Sequence, residues 1–164
     1  MFKISEASEE DIPAIIEIAE KTWWPTYSPI LSTEQIQFML SAIFNPEALK
    51  KEIANGYQTF LLLSDERGPQ AFASFGKRLE TPAVHKLHKL YVLPDNQKKG
   101  YGQALIREVK HRLLAKDVHT LDLNVNRFNS ALHFYEKTGF KRIREEDVPI
   151  GPYWMNDFVM RLEF

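Results

Sequence analysis

The sequence predicts a mixed α/β sandwich with the element order β-α-α-β-β-β-α-β-α-β-β. Three observations carry that expectation. Apolar residues recur with helical spacing through the N-terminal third of the chain, then switch to strand-like patterns from residue 59, then alternate between strand and helix to the end. At 164 residues the chain fits one domain, residues 1–164, able to bury a core without disulfide or metal support.

The elements follow in order. A strand is expected at Phe2–Glu6. A helix comes next, capped by Ser8 or Asp11, with Ile12, Ile15, Ile16, Ala19 and Trp23 on one face and Pro13 near its start, where a missing N–H does no harm. Pro25 and Pro29 predict an irregular segment over 24–29. Ser32 caps a second helix with Gln35 as capping-box partner and Ile36, Met39, Leu40 and Ile43 inward. Asn45-Pro46 restarts a helix that Gly56 ends. The apolar run 59–63 reads as a strand buried on both faces. Residues 71–77 pair with it as a hairpin through the turn Asp65-Glu66-Arg67-Gly68. A third strand over 85–92 leads into a glycine-rich loop and a helix to about Ala115. Leu121, Leu123 and Val125 alternate with Asp122, Asn124 and Asn126, the pattern of a half-buried strand. A helix over 129–138 stops at Gly139, and strands over 140–144 and 153–164 finish the chain.

Composition excludes several function classes. A net charge of −1 and an isoelectric point near 6.5 argue against nucleic acid or an anionic membrane as the main partner. No cysteine is present, which removes disulfides, thiolate metal sites and a cysteine nucleophile, and the five histidines show no ligand spacing, so no metal is expected. The N-terminus lacks a basic and apolar leader pattern and no segment reaches spanning length, so a soluble, cytoplasmic protein is the expectation.

The stretch Gln97-Lys98-Lys99-Gly100-Tyr101-Gly102-Gln103 is the most informative one. It lies between the strand run Leu90-Tyr91-Val92 and an amphipathic helix beginning near Ala104. A loop at that junction points backbone N–H groups at one spot, at the positive end of the helix dipole. Gly100 and Gly102 keep side chains out of the way, and Lys98 and Lys99 add charge. The loop therefore reads as a phosphate cradle. Neither the nucleotide-triphosphate spacing nor the dinucleotide fingerprint fits, because no Lys-Ser or Lys-Thr follows and Leu105 stands where a third glycine belongs.

What remains, Q/R-x-x-G-x-G/A between a strand and a helix, resembles the pyrophosphate loop of the GNAT superfamily of N-acetyltransferases. A second stretch, Asn126 through Asn129, Ala131, Phe134-Tyr135-Glu136-Lys137 and Gly139-Phe140, resembles that superfamily's other signature, in the right order and at a similar separation. The resemblance implies a mostly antiparallel twisted sheet flanked by helices and an acyltransferase. Such an enzyme moves an acetyl group from acetyl-CoA to an amine, with coenzyme A as product and no metal. The resemblance also implies site roles. Residues 97–103 hold the pyrophosphate, and Leu90, Tyr91 and Val92 offer backbone to the pantetheine arm. Tyr135 lies against the cofactor and protonates the leaving thiolate. Asn129 either contacts cofactor or caps its helix.

For the base, His88 occupies the place of a histidine in arylalkylamine N-acetyltransferases, with His85 second to it, while Lys86 stands where other members carry a glutamate. Strand alternation groups His88 and Lys86 with Leu90 and Val92, and His85 with Leu87 and Tyr91. For the acceptor, Trp24 and Tyr27 suit an aromatic wall. Asp157, in a C-terminal stretch similar to bacterial polyamine-type members, suits a cationic partner. A small amine or polyamine acceptor is expected, with a homodimer compatible. A protein N-terminal or lysine acetyltransferase is the alternative within the class, and a non-catalytic acyl-CoA-binding sensor the alternative outside it.

Overall fold

The computed structural model describes residues 1–164. Its elements are β1 (Phe2–Glu6), α1 (Ile12–Tyr27), α2 (Thr33–Ile43), α3 (Pro46–Asn55), β2 (Thr59–Asp65), β3 (Gly68–Lys77), β4 (Val84–Val92), α4 (Tyr101–Leu114), β5 (Thr120–Asn126), α5 (Ala131–Thr138), β6 (Lys141–Ile150) and β7 (Tyr153–Glu163). Seven strands form one sheet in the order β1-β2-β3-β4-β5-β7-β6. Every pairing is antiparallel except β4 with β5, whose connection is the α4 crossover that a parallel pair requires. The helices α1, α2 and α3 cover one face, burying Ile15, Trp23, Ile36, Met39 and Leu49 against Phe60, Leu62 and Phe72. The other face packs against α4 and α5 through Leu61, Leu63, Ala73, Leu87, Leu105, Val109 and Met160. Residues 59–63 thus serve both cores, as their unbroken apolar run requires.

Five expectations change. Three helices, not the two in the predicted element order, separate β1 from β2. The segment 24–29 is not irregular throughout: α1 runs through Pro25 to Tyr27. Proline in a helix interior costs about 3 kcal/mol or more, but Pro25 sits in the last turn. There it forfeits one hydrogen bond, while Trp23 and Tyr27, at 3% and 6% exposure, gain burial worth roughly 1.5–3 kcal/mol each. Ser32 does cap α2, accepting from the Gln35 N–H at 3.1 Å. The Gln35 side chain, however, does not fold back; its amide donates to the Trp154 carbonyl at 2.9 Å and ties α2 to β7. The strand expected at 140–144 is the start of the longer β6. Finally, β5 is not half-solvated. Asp122 and Asn126 are 1% and 3% exposed, and Asp122 is held by Arg161 at 2.8 Å and Arg78 at 3.3 Å.

Two irregularities in β4 shape the rest of the molecule. Lys89 pairs with Ser74 and Leu87 with Phe75, so His88 has no partner on β3 and forms a bulge. On the other side, β4 and β5 pair only from Val84/Thr120 to Leu87/Leu123. Beyond that point β5 stays with β7 as far as Asn126/Asp157, while β4 continues to Val92 paired only with β3. The two strands therefore splay apart and leave a slot walled by bare backbone.

Candidate active site

The glycine-rich loop sits at the C-terminal end of β4, beside this slot. A short 3-10 turn, Pro94–Asn96, precedes it and α4 begins at Tyr101 with Gly100 as N-cap and no side-chain cap. The N–H groups of Gly100, Tyr101, Gly102 and Gln103 bond to nothing in the protein, as the first turn of an uncapped helix dictates. Gly100 adopts φ +81°, a left-handed conformation that an L side chain resists, and a Cβ there would meet no protein atom within 4 Å. The cradle is open on that side, and the side chains of Lys98 and Lys99 are exposed at its rim. Gln97 turns back to the Val92 carbonyl at 3.4 Å. Gly102 serves a different purpose: a Cβ there would lie 3.1 Å from the ring of Phe134 on α5. The two sequence motifs thus touch, and one glycine of the first exists to seat an aromatic ring of the second.

On β4 the bulge breaks the alternation read from sequence. His85, Leu87, Leu90 and Val92 turn toward α4, while Lys89 and Tyr91 turn toward α1 and α3, Lys89 donating to Glu52 at 3.0 Å and Gln58 at 2.9 Å. The grouping of His88 with Leu90 and Val92, and of His85 with Tyr91, is corrected accordingly. Tyr91 completes an aromatic cluster with Trp23 (6.2 Å between centroids), Phe72 (5.6 Å) and Phe44 (6.0 Å), and Trp23 packs tilted against Tyr27 at 4.5 Å. Tyr27, one of the two residues expected in an aromatic wall, lies near Tyr91, Tyr135 and Asp157. Trp24, one residue along the helix and half-buried, packs on the α1–α3 core instead.

Tyr135, on α5, faces this cluster from across the slot. Its ring is 9% exposed and packs edge-on against Phe140 at 5.7 Å. Its hydroxyl has no hydrogen-bond partner, yet it is not among the sealed unpaired atoms, so it opens into the cleft. Burial raises its pKa well above the usual phenol value, with Tyr91 adding to the rise, and burial pushes the Tyr91 phenol up to about 12. Tyr27 is raised too, by burial first and then by Tyr91, Tyr135 and Asp157. All three phenols stay protonated at any working pH.

Both histidines are held below the ordinary imidazole value. The His88 ring is solvent-exposed at the bulge, and desolvation followed by the charges of Lys86, Lys89 and Arg78 holds it well below the usual imidazole value. Water at the open ring screens part of that shift, but the sign leaves it neutral. His85 is 7% exposed, its Nδ1 has no partner, and its neighbours are Lys77 and Lys116. Lys116 lies past the C-terminus of α4, whose 14 residues span about 21 Å from the loop, so His85 belongs to the far end of the sheet.

A carboxylate that sequence reasoning assigned only to acceptor contact stands out instead. Asp157, on β7 opposite Asn126, is 6% exposed, and its Oδ1 is sealed without a partner. Its Oδ2 accepts from Asn124 Nδ2 at 3.2 Å, and the same amide donates to Glu146 at 2.9 Å, leaving Asn124 Oδ1 unpaired as well. The nearby Arg127 bonds the Asp157 carbonyl and the Asp147 carboxylate. Burial raises the Asp157 pKa above the ordinary carboxylate range, against the lowering effect of the Asn124 amide and Lys86. The Asn124 and Glu146 partners were missed because Asn124 read as a solvent-facing position on β5. Asn129 Oδ1 accepts from the Ala131 N–H at 2.9 Å, holding the turn that leads through Ser130 into α5. No group of three or more His, Asp or Glu side chains is placed to hold a metal ion, and no helix is long and apolar enough to cross a membrane.

The family model described as an acetyltransferase (GNAT) domain matches residues 27–156. A spermidine N(1)-acetyltransferase of Thermoplasma acidophilum is 28% identical over 142 residues, covering 85% of this chain and 88% of the relative. An uncharacterized N-acetyltransferase, YuaI of Bacillus subtilis, is 27% identical over 154 residues, covering 92% and 87%. Among solved structures, the PaiA N-acetyltransferase from T. acidophilum in complex with coenzyme A superposes with a TM-score of 0.86 at 28% identity, over 100% of this chain and 99% of that one.

Proposed function

We propose, from the premise that this chain belongs to the acetyltransferase (GNAT) family, that it works as one catalytic domain transferring an acetyl group directly from acetyl-CoA to a small primary amine, a polyamine among the candidates. The observation that carries the reading is the coincidence of three features around one slot. These are the unpaired N–H groups of Gly100, Tyr101, Gly102 and Gln103, the bare backbone edge of β4 past Leu87, and the free hydroxyl of Tyr135. A diphosphate fits the first, because an anion satisfies four donors at a helix N-terminus and Gly100 leaves its approach open. An amide-bearing arm fits the second, adding to β4 as a strand would at Leu90, Tyr91 and Val92. The relatives' descriptions, a spermidine acetyltransferase and a coenzyme A complex, support both halves of the proposal.

Acetyl-CoA supplies a thioester carbonyl open to attack by an amine. The chain does the rest. Lys98, Lys99 and the loop N–H groups hold the anionic end, while Trp23, Tyr27 and Tyr91 keep water from the slot. A backbone N–H near Val92 polarises the carbonyl. Asp157 pairs with the amine's ammonium and takes one proton from it, a role for which a raised carboxyl pKa is suited. The amine nitrogen bonds to the carbonyl carbon and releases its second proton to solvent, the carbon–sulfur bond breaks, and Tyr135 gives its hydroxyl proton to the sulfur. The desolvation that raises the phenol raises the thiolate's basicity in the same cleft, so the transfer stays matched. Asp157 then gives its proton to solvent and Tyr135 regains one from it, leaving one net proton released.

The test is titration calorimetry with acetyl-CoA followed by thiol release over a panel of monoamines, diamines, polyamines and N-terminal peptides. Saturable binding and turnover with the small amines are expected. Binding without turnover on any amine would leave a sensor, preference for peptides a protein acetyltransferase, and no binding would end the proposal.

A further inference from the structure

Tyr101 lies inside the loop motif, yet its side chain turns away from the open cradle. It is 7% exposed, packs edge-on against Phe2 at 5.4 Å, and its hydroxyl donates to Asp65 Oδ2 at 2.7 Å. Asp65 ends β2, at the turn of the β2–β3 hairpin, and its carboxylate is 1% exposed. Its Oδ1 accepts the Arg67 N–H at 2.9 Å and its Oδ2 the Arg67 guanidinium at 2.6 Å. That guanidinium also donates to Asn96 Oδ1, and the Asn96 amide donates in turn to Gln70. Asn96 and Gln70 are 1% and 7% exposed. Asn96 stands immediately before the loop and Tyr101 within it, so one hairpin turn grips the loop on both sides.

That grip answers a specific difficulty. A segment with two glycines and two exposed lysines has many conformations when empty, and fixing it costs entropy that binding must otherwise offset. The four N–H donors make no internal bond that would hold them convergent. We infer that Asp65 and Arg67 are positioning residues for the anion loop, setting its shape before any ligand arrives through Tyr101 on one side and Asn96 on the other. Neither side chain bonds any of the four cradle N–H groups. The inference rests on the proposed reading of the loop as the diphosphate site of acetyl-CoA.

The experiment compares Asp65→Asn and Tyr101→Phe with the unaltered protein in two measurements. Hydrogen exchange of the ligand-free protein should quicken over residues 97–103 and stay the same in β5 and α5. In turnover, the Michaelis constant for acetyl-CoA should rise roughly 10-fold, equivalent to about 1.4 kcal/mol, with the loss falling on that constant and not on kcat or on the amine's KM. A merely structural pair would lower the melting temperature and leave both readouts alone, which overturns the inference. Tyr101→Phe removes a single oxygen and keeps the ring packed on Phe2, so it serves where Asp65→Asn folds poorly. If the unaltered protein fails to bind acetyl-CoA, the functional reading falls, while the exchange rates of the empty loop still decide this one.

Discussion

Tyr135 carries the most testable single oxygen in the molecule. Its ring packs on Phe140, while its hydroxyl bonds to nothing and opens into the slot, so packing and chemistry reside in different atoms. Tyr135→Phe should therefore leave the melting temperature within about 1 kcal/mol of stability and leave acetyl-CoA affinity intact. Turnover should fall about 10²-fold because the lost proton is needed only as the carbon–sulfur bond breaks. Titration calorimetry and steady-state kinetics on this one variant separate the roles, and full turnover would remove Tyr135 from the mechanism. The sequence made Tyr135 visible through its Tyr-Glu-Lys-x-Gly-Phe context. It could not distinguish the free phenol here from a hydrogen-bonded core tyrosine, because that depends on what α5 faces.

At the scale of elements, α4 and α5 meet where Gly102 lies under the Phe134 ring, with 3.1 Å left for a missing Cβ. Gly102→Val should lower stability by about 1–3 kcal/mol through overpacking, even with no ligand present. Phe134→Leu in the same chain should recover much of that loss. Urea midpoints for both single variants and the double variant check this; strictly additive losses would mean that the two residues do not share the contact. The helix α1 teaches a related point about local signals. Pro25 and Pro29 read as a break, yet Trp23 and Tyr27 gain enough burial to carry the helix through the first proline. The bulge at His88 is the converse, a local irregularity that alternation could not register because β3 imposes it from across the ladder.

For the molecule as a whole, Asp157 links stability to activity. Its folded pKa lies above the unfolded carboxylate value, so the folded state holds the proton more tightly. The site therefore destabilises the fold increasingly as pH rises from about 4 through the folded pKa, and fully above it. Asp157→Asn should raise the melting temperature at pH 7, an advantage that shrinks as pH falls toward 4. The same change should cut kcat/KM about 10²-fold and remove the acidic limb of its pH profile, since the carboxylate must be ionised to accept a proton. His88→Ala should keep that limb, because His88 has no titration near neutrality. A limb that survives in Asp157→Asn and vanishes in His88→Ala would reverse the assignment.

The chain's own order of residues determined the mixed α/β class and its seven strands, the glycine loop at a helix start, the double-sided burial of residues 59–63 and the aromatic character of the segment after residue 22. Each of these follows from the period of apolar residues or from backbone restrictions at glycine and proline, which act over a few neighbours. Tertiary structure alone decided where β4 and β5 part, which way Tyr91 and Tyr101 turn, that His85 sits at the far end of the sheet, and that Asp157 keeps a buried oxygen unpaired. Those facts depend on pairing length, ladder register and burial, sums over partners such as Ser74, Leu123 and Asp65 that lie far away in sequence. Local pattern announces that a ligand loop exists; only the assembled sheet determines what that loop faces.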